Sequence, residues 1–136
     1  MFTPASTRAS SAYKNVGLET SVNGADPHGL VGLLFTALLQ TLNAAQAAMK
    51  RRDIAGKGRA IGMAVRYLDE GLMEGLNQEK GGDLAMNLGA LYSYCVLRLT
   101  QANLTNDLSK VEEVQRLIEP VAQSWQQIRG EALKGI

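Results

Sequence analysis

The sequence predicts an all-α fold, an antiparallel four-helix bundle with a short, mobile N-terminal helix or segment. Three observations carry this expectation. The 136 residues include only three prolines. Apolar residues recur at i, i+3 and i+4 along most of the chain, and no run shows the period of two that a half-buried strand needs. The length lies within the roughly 100 to 200 residues usual for one domain. Residues 1–136 are therefore expected to form a single domain, with 1–25 as a mobile leader and 26–134 as the bundle.

Taken in order, Pro4 and the stretch Ser6 to Tyr13 predict a short first helix, followed by a loop through Gly17, Asn23 and Gly24. The next helix begins with Asp26 as N-cap and Pro27 at the first helical position, where a missing N–H removes no hydrogen bond. It is expected to run to about Lys50. Between Pro27 and Met49 there is no Asp, Glu, Lys or Arg, and that length could span a bilayer. Gln40, Thr41, Asn43 and Gln46 crowd its second half, so a buried central helix without membrane insertion is expected.

A third helix, from about Asp53 to Leu76, places Ile54, Ile61, Val65, Leu68, Leu72 and Leu76 on one stripe, despite the helix-weakening Gly56, Gly58 and Gly62. Arg59, Arg66 and Glu70 fall on its solvated side. Gly81 and Gly82 then break the chain, and Asp83 is expected to cap a fourth helix with a core stripe of Leu84, Leu88, Leu91, Tyr92, Cys95, Leu99 and Ala102. The last helix starts near Asp107 and buries Val111, Val114, Ile118, Val121 and Trp125, with a bend expected at Pro120.

Composition narrows the function. Fourteen Lys and Arg against thirteen Asp and Glu give a net charge of +1, which draws the chain neither to nucleic acid nor to an anionic membrane. Cys95 is the single cysteine, so no intramolecular disulfide can form and a reducing, cytoplasmic setting fits. The leader lacks the apolar core and processing site of a secretory signal. His28 and Cys95 lie on different predicted helices, which leaves neither a metal cluster nor a Cys–His nucleophile pair. His28 itself, in a first helical turn, is expected to be solvated or to act as a cap. Asp69–Glu70 and Glu112–Glu113 are adjacent in sequence and diverge around a helix, as solvated faces do. No cofactor, metal or catalytic residue is expected.

The informative feature is apolar surface beyond what one core can use. On the fourth predicted helix Met86, Ala90, Leu97 and Leu104 lie opposite the core stripe, and no charge occurs between Asp83 and Arg98. On the helix after Asp26, Leu33 and Leu39 lie off the line of Leu30, Leu34, Leu38, Leu42 and Ala45. The N-terminal segment, the last helix or a second copy of the chain could cover these faces. A groove for amphipathic segments of a partner is the other reading.

The segment from Leu76 to Asp107 resembles the FliS family of flagellin export chaperones. The matching pieces include Leu76-Asn77, Glu79-Lys80-Gly81-Gly82, Asn87-Leu88, Leu91-Tyr92 with Tyr94, Arg98-Leu99, Ala102-Asn103 and Asn106-Asp107. Ala12-Tyr13, Val22, Ala25-Asp26-Pro27-His28 and Trp125 extend the likeness over nearly the whole chain. Phe35-Thr36 and Gly29 depart from the family pattern, which has an aromatic hydroxyl with an acid and a basic residue there. The resemblance implies a cytoplasmic, non-enzymatic chaperone that binds the C-terminal segment of flagellin, blocks premature polymerisation and delivers it to the flagellar type III export apparatus. Expected partner contacts are Met86, Asn87, Ala90, Tyr94, Leu97 and Leu104 with Leu33 and Leu39. Tyr13, Leu18 and Val22 of the leader are expected to dock on the same surface when no client is present. A dimeric structural or regulatory adaptor is the alternative.

Overall fold

The computed structural model describes residues 27–76 and 78–127; the side chains of Pro27 and of residues 78–80 are outside the description. Four helices follow one another: α1 Pro27–Lys50, α2 Ile54–Arg66 extended by a π-helical stretch Tyr67–Met73, α3 Gln78–Thr105 and α4 Leu108–Gln127. Among the described residues there is no strand. Each helix packs on its two neighbours, α1 on α2 and α4, α3 on α2 and α4. Lys57 at the start of α2 meets Asn103 at the end of α3, and His28 at the start of α1 meets Trp125 at the end of α4, so these pairs run antiparallel.

α1 forms the central stave. Leu30, Val31, Leu34, Phe35, Leu38, Leu42 and Ala45 are all sealed, while Thr36, Gln40 and Asn43 face out. The helix is long and apolar enough to cross a bilayer, with a mean hydropathy of 1.4. Leu30, Leu34, Leu38 and Leu42 instead face the bundle interior, while Leu33 stays exposed and Leu39 partly buried. Asp26 and the expected first helix lie outside the described residues.

Both sharp turns end their helices alike. Arg52 (φ 59°) and Asn106 (φ 55°) adopt the left-handed conformation. The amide after each reaches back to a carbonyl five residues earlier, Asp53 to Ala48 at 2.9 Å and Asp107 to Ala102 at 3.2 Å. This is the Schellman arrangement that satisfies otherwise orphaned carbonyls. The Asp53 side chain then caps α2, accepting the Gly56 amide at 2.9 Å. A Cβ on Gly56 would come 2.4 Å from the Asp53 carboxylate, so glycine is what lets that cap close. Its bonds to Gly56 and then Arg51 hold the Asp53 carboxyl below its usual range.

The helix from Asp53 is not regular to its end. In the π-helical stretch the Glu74 amide bonds Asp69 O, five residues back, at 3.2 Å. The wider turn lets residues four apart stay on one face, and Tyr67, Leu68, Gly71 and Leu72 are all buried. Ile61 and the leucines 68 and 72 join the core as expected. Ile54 does not: as the first residue of α2 it projects past the packed layer and is 63% exposed.

The glycine pair interrupts the helical run within α3, the break that the sequence suggests. α3 begins at Gln78, and Gly82 alone leaves helical geometry with φ 54° and ψ −131°, a region that residues with a Cβ avoid. Leu84, expected in the core, follows the kink and is 55% exposed, whereas Ala85 takes the buried place. Tyr92, Cys95, Leu99 and Ala102 are fully buried as expected, and Leu88 and Leu91 are partly buried against them. α4 continues through Pro120 and buries Val111, Val114, Ile118 and Trp125, with Val121 half-buried. Burial pushes the Cys95 thiol up to about 12, so it is an unreactive core group.

Candidate partner-binding surface

Two devices hold α3 in place and thereby decide which of its faces turns outward. At its C-terminal end the Lys57 ammonium, on a side chain that is only 5% exposed, donates to Asn103 O at 3.0 Å and to the side-chain oxygen of Asn106. A cation on the last carbonyls of a helix also complements its dipole. At its middle, Tyr94 Oη donates to Glu113 Oε2 of α4 at 2.7 Å, and Arg98 Nε donates to Glu113 Oε1 at 2.6 Å. The Arg98 guanidinium also lies 5.9 Å from the centre of the Tyr94 ring. The Tyr94 hydroxyl, followed by Arg98, holds the Glu113 carboxyl below its usual range, and the same carboxylate holds the Tyr94 phenol above its own. Glu113, expected on a solvated face, is thus the polar link between α3 and α4. The reason is its place opposite Tyr94 and Arg98, which only the packing of two helices creates.

At the far end of the bundle, α1 and α4 are clasped by His28 and Trp125. Their rings stack at 4.2 Å with 11° between planes. Trp125 Nε1 donates to His28 O at 2.9 Å, and His28 Nε2 donates to Trp125 O at 2.9 Å, since a carbonyl can only accept. His28 is 4% exposed. The expectation of a solvated or capping histidine fails because its partner stands 97 residues away. Phe35 joins the clasp with its ring 6.3 Å from that of Trp125, an aromatic packing role that needs no hydroxyl.

With α3 so fixed, one line of side chains points away from the core. Met86 is 61% exposed, Leu97 54% and Leu104 78%, and Ala90, Ser93 and Thr100 are exposed between them. Their spacing of 4, 3, 4, 3 and 4 residues is that of a coiled-coil seam. The seam is about 27 Å long at 1.5 Å per residue. Its borders are Asn87, Tyr94 and Gln101 on one side and Gly89, Val96 and Asn103 on the other, without a charge among them. Such a strip offers dispersion contact and area along its whole length. Among the described residues no group of histidines, cysteines and carboxylates could hold a metal ion.

The expected contact residues fall into three groups. Met86, Asn87, Ala90, Leu97 and Leu104 are exposed on α3, and Tyr94 borders them with its hydroxyl tied to Glu113. Leu33 and Leu39 are not brought to this strip as a pair: six residues apart, they lie roughly 120° from each other around α1. Leu33 is 41% exposed. Leu39 is partly buried and packs with Phe35 and Ala122 at a shallow 130 Å³ groove between α1 and α4. Tyr13, Leu18 and Val22 lie outside the described residues. Ser93 and Thr100 complete the seam and escape a reading by apolar stripe, because polar side chains do not register in one; the 4, 3 spacing is the signal that finds them.

Comparison with known proteins bears on this arrangement directly. The family model described as flagellar protein FliS matches residues 9–132, nearly the full length. The chain belongs to the FliS family. Relatives in that family include the flagellar secretion chaperone FliS of Salmonella typhimurium, 42% identical over 121 residues that cover 89% of this chain and 90% of the relative. The flagellar secretion chaperone FliSB of Pseudomonas aeruginosa is 42% identical over 118 residues, 87% of this chain and 93% of that protein. Bacillus subtilis FliS is 30% identical over 109 residues, 80% of each chain. The FliS likeness takes in all four helices, so both devices that orient α3 lie inside the matched region.

Proposed function

We propose that this FliS-family chain is a non-enzymatic cytoplasmic export chaperone whose α3 seam receives a helical stretch of the C-terminal segment of flagellin, keeping it from polymerising until it reaches the flagellar type III export apparatus. The observation that carries the reading is the uncharged apolar line Met86, Ala90, Leu97 and Leu104 on the solvent side of a helix whose other side is already filled. The names of the relatives, flagellar secretion chaperones, supply the class of client. A disordered client gives up roughly 2 to 5 kcal/mol in ordering when it binds. An extended seam offsets that by burying a whole helical face, which a small pocket could not do. Leu33 adds a second contact on α1 for a client that wraps around the bundle.

Leu97→Glu tests the reading. It should abolish binding of a flagellin C-terminal peptide in calorimetry while leaving the helical circular dichroism unchanged, because Leu97 supports nothing inside the bundle. Normal binding by this variant would remove the seam from the function. The adaptor alternative, a dimer formed through the same seam, is separated by sedimentation: a monomer whose mass is independent of concentration favours the chaperone. The leader residues Tyr13, Leu18 and Val22 act in this scheme as an internal competitor for the seam, and truncating residues 1–25 should change client affinity in one direction or the other.

A further inference from the structure

The turn joining α1 to α2 concentrates charge in a way that neither the seam nor the bundle requires. Residues 50–59 carry Lys50, Arg51, Arg52, Lys57 and Arg59 against the single acid Asp53, while the whole chain has a net charge of only +1. Part of this has a local purpose. Lys50 sits in the last turn of α1, where a cation is favourable. Arg51 pairs with Asp53 at 3.1 Å, and Lys57 caps α3. Arg52 serves no such purpose, and Arg59 only adds weakly to the positive field at Asp53. Both are exposed, and among the described residues neither side chain makes an ion pair or a hydrogen bond. Arg59 lies in the second turn of α2, beyond the reach of the dipole at the end of α1.

Two grooves flank this corner and share Ala48 as common wall. One, of about 390 Å³, runs between α1 and α2 with Arg51 and Arg59 at its rim and Ala44, Ala60 and Met63 along its sides. The other, of about 420 Å³, has Arg52, Lys57 and Asn106 together with the aliphatic Met49 and the exposed Ile54, and its one acid, Asp53, is already paired with Arg51. Each therefore sets cations beside an aliphatic surface. Lys57 is nine-tenths buried, and with Asn103 and Asn106 it has used two of its three N–H donors. A carboxylate neighbouring an aliphatic side chain complements both grooves. Neither lining contains an aromatic ring on which a nucleic-acid base could stack, and cations alternating with aliphatic side chains suit an acidic amphipathic peptide.

We propose that this basic corner is a second docking surface, separate from the α3 seam, which takes an acidic amphipathic segment of a protein partner. It does not depend on what occupies the seam. Because attraction between exposed charges is screened by salt, binding here weakens as ionic strength rises, whereas binding at the uncharged seam does not.

The test uses the full chain, isotopically labelled for NMR, titrated with a synthetic helical peptide of Glu-Glu-Leu-Leu repeats and with its Gln-for-Glu twin. The acidic peptide should shift amides within residues 44–63 and at Asn106, and the neutral twin should not. Arg52→Gly with Arg59→Gln should weaken the acidic peptide roughly tenfold, about 1.4 kcal/mol. Both changes leave the fold intact, since glycine suits the left-handed position 52 and Arg59 is exposed. Leu97→Glu should leave this binding unchanged, which separates its failure from that of the seam. No shift at the corner, equal binding of the twin, or equal binding by the double variant would overturn the proposal. Tighter binding of a single-stranded oligonucleotide or of phosphatidylglycerol vesicles at the same residues would overturn it in favour of those classes.

Discussion

The two sides of α3 are made of similar residues and meet opposite fates. Tyr92, Cys95, Leu99 and Ala102 on one side have no exposure at all, whereas Met86, Leu97 and Leu104 on the other are each more than half exposed. Hydrophobicity does not separate them, since leucine and small residues occur on both. Polar anchors at the edges make the choice: Lys57 at the last turn and Glu113 at the middle hold the helix in one rotation about its axis. Turned otherwise, the Glu113 carboxylate would lose both its partners, and Lys57 would be buried without acceptors, which is the costlier loss. The seam is thus outward because charge and hydrogen bonding forbid it to turn inward.

The largest effect that can break this contrast is truncation on the sealed side. Leu99→Ala should lower unfolding stability by about 2 to 5 kcal/mol in urea denaturation, through lost transfer energy and the cavity left behind. Leu97→Ala, two residues away, should stay within about 0.5 kcal/mol of the parent and act only on client binding. Equal losses at the two positions would mean that the seam is covered in the free protein, and the contrast would collapse.

Lys57→Met probes the anchor instead of the faces. The methionine keeps the aliphatic packing but removes the donor to Asn103 O and the Asn106 side chain, both on exposed residues that water can reach, which should cost about 1 kcal/mol. Hydrogen exchange should accelerate first in the last turn of α3, around Leu104. If exchange there were unchanged while global stability fell, Lys57 would be supporting α2 and not the orientation of the seam.

Much of this is legible in the residues. Helix ends follow from Gly82, Asp53 and Asp107, and the core stripes from the 3.6-residue period; the apolar excess on α3 stands out because no charge interrupts it. The errors share a physical cause. Ile54 and Leu84 have the right phase for the core, but each stands at the start of a regular helical run, where no neighbour is left to cover it. His28 and Glu113 owe their roles to partners on another helix, and pairing across the bundle has no signature in local periodicity. The π-helical stretch Tyr67–Met73 also leaves no trace in the apolar periodicity.

The smallest predicted effect concerns Asp107, which begins the helix that seals the inner side of α3. Its carboxylate accepts the Ser109 amide at 3.0 Å and the Ser109 hydroxyl, and it pairs with Lys110 at 3.1 Å. The Ser109 hydroxyl, then Lys110, holds its pKa at about 2 against an ordinary 3.8. A carboxyl depressed by folding contributes stability that is present above 3.8 and disappears as the pH falls towards 2. Asp107→Asn keeps a capping oxygen and removes the charge. The parent should therefore melt slightly higher than this variant at neutral pH, and the gap in Tm should close between about pH 4 and about pH 2. Because the group is exposed, the gap should also narrow in high salt. A gap independent of both pH and salt would place the contribution of Asp107 in cap geometry and not in its charge, and the polar account of how the inner side stays sealed would lose this one of its supports.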